Sequence, residues 1–99
     1  MPEDIRNDAA LVEEYLHFLA VERGASLNTL EAYSRDLGQF LDYVRGSGVA
    51  SPLAVSPEHV TAFLGGLRGQ GLSSASVNRK LAAIRGFYKY LLREARLEE

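Results

Sequence analysis

The sequence contains no cysteine, which excludes disulfides and thiolate metal sites. It also has no apolar run approaching the ~18 residues that a membrane-spanning helix requires. The opening residues, MPEDIRNDAA, are acidic and polar, the reverse of a signal peptide's basic and then apolar order. A cytoplasmic protein, or a cytoplasmic fragment, is therefore expected, with no membrane partner. Histidine is scarce: His17 and His59 stand alone, without the spacing of a metal site or a catalytic triad. The glycines of FLGGLRGQG lack both the Lys-Ser/Thr and the preceding strand of a phosphate loop. Glu13 with Glu14, and Glu98 with Glu99, read as solvated charges rather than an acid–base pair. No metal or cofactor is expected, and this chain by itself is not expected to be an enzyme.

An excess of positive charge is also missing, since the net charge is -2 over 99 residues. Its distribution is uneven. Residues 72–96 carry six bases and one acid, leaving five bases and twelve acids for the rest of the chain. Such polarity along a sequence points to a partner on the basic side. At 46% hydrophobic and 24% charged, the composition is that of one ordinary globular domain.

Four segments have helical periodicity and none shows sustained alternation, so the fold class is all-α, a four-helix bundle. Helices are expected over about 9–23, 27–45, 57–68 and 74–96, with residues 1–8 a flexible N-terminus. Asp8 and Gly24 bracket the first helix as cap and stop. The start of the second is marked twice, by Ser26 and by Asn28 with Glu31 at capping-box spacing. The third opens on Ser56 with Pro57 at its first position. The fourth carries Val77, Leu81, Ile84, Tyr88 and Leu91 as its apolar line.

At about 100° per residue from Leu81, the polar residues of the fourth helix separate from that line. Arg85 lies at about 40°, Asn78 and Arg96 at about 60°, Lys89 at about 80° and Arg93 at about 120°. Arg79, at about 160°, extends the basic surface outward. The small residues Ala75, Ala82 and Gly86 fall on the same side and would let the helix approach another surface closely. The helix opens on Ser73, Ser74 and Ser76, and the second helix on Ser26, Asn28 and Thr29. At both starts, unpaired N–H groups and hydroxyls favour an anion. From the residues alone, two readings stay open: a solvated helix face with ordinary caps, and a face that touches nucleic acid.

Two stretches carry a family resemblance. In SLNTLEAYSRDLGQFLDYV, the residues Ser26, Thr29, Tyr33, Asp36, Leu37 and Phe40 follow the pattern Ser-x-x-Thr-x-x-x-Tyr-x-x-Asp-Leu-x-x-Phe. In GLSSASVNRKLAAIRGFYKYLLRE, a second pattern runs through Ser76, Arg79, Leu81, Ala83, Arg85, Phe87, Tyr90 and Leu91. Together, and with LVEEYLHFLAVERGAS ahead of them, they resemble the N-terminal core-binding domain of tyrosine recombinases, particularly the Xer type. The resemblance covers about residues 9–99 and implies a SAM-like orthogonal bundle that grips one side of a recombination half-site. It implies double-stranded DNA as partner, with other recombinase protomers and a C-terminal catalytic domain. It assigns DNA contact to Ser26, Thr29 and Arg35 on the second helix, and to Ser76, Asn78, Arg79, Lys80 and Arg85 on the fourth. Lys80 lies at about 260°, away from the Asn78–Arg85 stripe, where its stem can snorkel along the core edge.

The family's strand-cleaving set includes a His-x-x-Arg, which neither histidine heads here. The expectation is that residues 97–99 begin a linker to a catalytic domain, and that Tyr88 and Tyr90 are not nucleophiles. Gly86 departs from the family's usual larger side chain. The function expected is the DNA-binding module of a site-specific recombinase, acting in chromosome-dimer resolution or integration. The alternative is a helical protein–protein interaction module with no DNA role.

Overall fold

The computed structural model describes the backbone of residues 2–49 and 51–94, and side chains from Ala9 onward. Four helices follow one another: α1 (Pro2–Glu22), α2 (Leu27–Gly46), α3 (Pro57–Gly69) and α4 (Ser74–Arg93). A single 3-10 turn, Pro52–Ala54, precedes α3. Helix α1 begins at Pro2 rather than near Ala9 and runs through Asp8, which is therefore not its cap. Pro2 supplies a reason, since a proline is well suited to the first helical position. Arg96 and residues 97–99, where a linker is expected to begin, lie outside the described residues.

The helix ends follow local chemistry. Gly24 closes α1 in the left-handed conformation at φ 63°, and the Ala25 N–H turns back to the Leu19 carbonyl at 3.0 Å. Ser26, not Asn28, caps α2: its hydroxyl accepts the Thr29 N–H at 3.1 Å, leaving Asn28 and Glu31 exposed within the helix. Ser56 opens α3 as expected, and His59 completes the start where a Glu or Gln is usual. The His59 Nδ1 accepts the Ser56 N–H at 2.9 Å, so that nitrogen carries no proton in this arrangement.

The core gathers Leu11 and Tyr15 from α1, Leu37, Phe40, Leu41 and Val44 from α2, and Phe63 and Leu64 from α3. Helix α4 adds Val77, Ala83, Ile84, Phe87 and Leu91. Its buried face is turned from the expected line: Leu81 and Tyr88 are only half-buried, while Ala83 and Phe87 are fully buried. The cause is that α1, α2 and α3 all pack on α4, so the buried arc is wide and centred near Phe87, Lys80 and Leu91. A lysine in the middle of that arc concealed it from an apolarity count. Tyr88, on the flank, donates its hydroxyl to the Pro52 carbonyl at 2.8 Å and ties the 3-10 turn to α4.

Candidate nucleic-acid interface

Helices α2 and α4 begin with the same local device. The Ser26 hydroxyl accepts the Thr29 N–H and donates to Thr29 Oγ1 at 3.1 Å. The Ser73 hydroxyl likewise accepts the Ser76 N–H and donates to Ser76 Oγ, both at 3.2 Å. Each cap satisfies one N–H of the first turn and leaves others directed out of the helix end. Ser26, Asn28, Thr29, Ser73 and Ser74 are all exposed, and Ser76 is half-buried.

Asp36 joins the two helices. It is 1% exposed, and its carboxylate accepts three charged donors from α4. Arg79 reaches it through Nε at 2.8 Å and Nη2 at 2.9 Å, the two-pronged geometry that suits a guanidinium to a carboxylate. Lys80 Nζ donates to Asp36 Oδ1 at 2.8 Å and to Gln39 Oε1 at 2.6 Å. Burial pushes the Asp36 carboxyl up, but the bonds from Arg79 and Lys80 outweigh it and hold the group below its ordinary range. The hydrogen bond to Asp36 raises the Arg79 guanidinium in turn.

This arrangement corrects one expected surface residue. Lys80 is buried and faces α2, so it does not belong to an exposed contact set. Its position on α4 is at the centre of the packed face, where an ammonium is tolerable only beside a charge such as Asp36. Arg79 is intermediate. Its side chain stays 43% exposed, and Nη1 remains available while Nε and Nη2 are engaged. Two residues of the two sequence patterns, Asp36 and Arg79, thus prove to be direct partners 43 positions apart.

The other expected contacts lie on the outside. Asn78, Arg85 and Lys89 are exposed along one side of α4, and Arg35 is exposed on α2. None of the four has an ion-pair partner among the described residues. Cations left unneutralised on one helix face are suited to meet phosphates, and Asn78 on that face carries a donor and an acceptor for a base edge. Thr29 lies seven residues before Asp36, on the face of α2 that carries the Arg79 bond.

Sequence reasoning gave no role to Asp36 or Gln39, although Asp36 stood in a recognised pattern. Charge partners distant along the chain leave no local periodicity. It also took Gly86 as part of an open surface, whereas Gly86 meets α1. A Cβ built there would overlap the Tyr15 hydroxyl. Glycine is required for that approach of α1 to α4.

Comparison with known proteins gives a consistent result. Residues 12–95 match the family described as phage integrase, N-terminal SAM-like domain. The chain is 39% identical over 88 residues to the tyrosine recombinase XerD of Listeria monocytogenes serotype 4b, covering 88% of this chain and 30% of that protein. It is 43% identical over 84 residues to the XerD of Halalkalibacterium halodurans, covering 84% of this chain and 28% of the relative. A tyrosine recombinase XerC from Xylella fastidiosa strain M23 is 38% identical over 87 residues, covering 88% and 30%. The chain thus spans roughly 30% of the length of the curated relatives it matches. No solved structure matches it significantly. No helix among the described residues is long and apolar enough to cross a membrane.

Proposed function

We propose, because this chain belongs to the family of phage integrase N-terminal SAM-like domains, that it is the DNA-gripping module of a site-specific tyrosine recombinase. The outer side of α4, with the start of α2, lies along the duplex of a recombination half-site. Asn78, Arg85 and Lys89 make the exposed contacts, and Arg79 contributes its outer nitrogen. Ser26, Asn28, Thr29 and Arg35 line the α2 side, and Ser73, Ser74 and Ser76 present the α4 terminus to a phosphate. Strand cleavage and rejoining would belong to a C-terminal catalytic domain closing on the opposite side of the DNA, with further protomers on neighbouring half-sites. Chromosome-dimer resolution, or integration and excision, in the cytoplasm is the corresponding role. The observation that carries this reading is the row of exposed Asn78, Arg85 and Lys89, without ion-pair partners among the described residues, on a helix whose Arg79 and Lys80 are instead paired with Asp36.

Titrating the chain with a short duplex across a salt series tests it. The log–log dependence of affinity on salt should be steep, with a slope of roughly -0.9 per phosphate contacted. Arg85→Ala should make it shallower by about one such contact. A second reading, docking of a partner helix, draws support from the cavity of about 550 Å³ between α3 and α4, walled by Val60, Leu64, Leu81 and Tyr88. DNA affinity absent at low salt, or indifferent to Arg85→Ala, would favour that reading instead.

A further inference from the structure

A cavity of about 570 Å³ lies between the C-terminal half of α1 and the outer side of α4. Arg23, just past the end of α1, and Arg85, Lys89 and Arg93 of α4 surround it, and none of its lining residues is acidic. Arg23 and Arg93 converge on one ring, their guanidinium carbons 5.4 Å and 4.7 Å from the Phe18 centroid. Such cation–π contacts pre-orient the guanidinium groups but leave their charge intact. Among the described residues, Glu94, 3.8 Å from Arg93 at the outer end, is the one carboxylate paired with any of these four cations.

A second feature of the cleft is independent of this charge. Tyr15 lines it and is 4% exposed, yet its hydroxyl has no hydrogen-bond partner among the described residues. The hydroxyl rests against Gly86, which also lines the cleft. Burial pushes its pKa up to about 12, so the group remains a proton donor. A buried hydroxyl without a partner is uncommon, and one placed inside a ring of cations is suited to donate to an anionic oxygen.

We propose that this cleft seats a backbone phosphate of the bound DNA, extending the contact surface from α4 across to the end of α1. The inference rests on the DNA-binding reading above, because Arg85 and Lys89 belong to both surfaces and join them into one track. Arg23 and Arg93 supply charge, and Tyr15 donates the hydrogen bond that fixes the phosphate's position. The contact reads no base, so it adds affinity and register without sequence preference.

The test compares the parent chain with Arg23→Gln/Arg93→Gln, Tyr15→Phe and Asn78→Ala, each binding a mixed-sequence duplex across a salt series. Helix content is checked by circular dichroism. The double variant should flatten the log–log salt slope by roughly 0.9 for the lost phosphate. Tyr15→Phe removes a neutral donor, so it should weaken binding about two- to tenfold without changing the slope. A double variant with the parental slope, while Asn78→Ala still weakens binding, would overturn the cleft as a phosphate seat and leave the α4 reading standing. No DNA binding by the parent at low salt sinks both. A parallel titration with polyglutamate gives the third outcome. If that polymer binds and the double variant abolishes it while the DNA slope is unchanged, the cleft serves an acidic protein partner and the proposal is wrong.

Discussion

Two pairs of cations lie within about three turns of α4 and occupy opposite environments. Arg79 and Lys80 turn toward α2 and share the Asp36 carboxylate, Lys80 buried and Arg79 half-exposed. Arg85 and Lys89 turn away from the core and have no ion-pair partner among the described residues. The contrast separates two uses of positive charge that composition cannot distinguish. A buried cation is retained only with a partner, since desolvation costs several kcal/mol per ion, and it then specifies how two helices meet. An exposed cation adds little to stability and is available to a ligand.

The strongest way to break the inner arrangement is Asp36→Asn. It leaves Lys80 buried beside a neutral group, and stability should fall by about 3–5 kcal/mol in a denaturant titration. The same residue predicts a pH dependence. Its folded pKa lies below the usual aspartate value of 3.8, so its stabilising contribution is fully present above that value. The contribution is lost as pH falls through the lower folded pKa. Between pH 7 and acid, Asp36→Asn should therefore lose less stability than the parent; an equal acid loss in both would contradict the buried pairing.

Gly86→Ala probes the junction of α4 with α1 and should cost about 1–3 kcal/mol through overlap with the Tyr15 hydroxyl. Combining it with Tyr15→Phe should recover much of that loss, which a double-mutant cycle measures. A smaller effect is expected at the helix start: Ser73→Ala removes the cap of α4 and should cost about 1 kcal/mol by thermal melting. Smallest in stability is Lys89→Ala, which should stay within about 0.5 kcal/mol of the parent. It should nevertheless weaken DNA binding and flatten the salt slope. A large melting shift there would mean that the outer cations also hold the fold together.

Much of the architecture was legible because helix signals are local. Ser26, Ser56 with Pro57, Ser73 and Gly24 mark ends through bonds to residues a turn away, and their positions agree closely with the observed boundaries. The start of α1 was less legible, because Asp8 imitates a cap inside a helix that already runs from Pro2. The outer stripe of Asn78, Arg85 and Lys89 followed from the 100° geometry of one helix. The inner cluster did not, because it depends on which face of α2 lies opposite. Counting Lys80 as polar displaced the expected buried line toward Leu81 and Tyr88, when the packed centre runs through Phe87 and Leu91.

The amino-acid sequence by itself determined four helices, their caps, and a basic final helix whose pattern marks the family, since each depends on residues within a few turns of one another. Only the tertiary structure decided which cations face inward, why position 86 is glycine, and that Arg23 joins Arg93 beside Phe18. Those outcomes depend on charges and rings brought together from distant parts of the chain, where Coulomb energy and packing act through space.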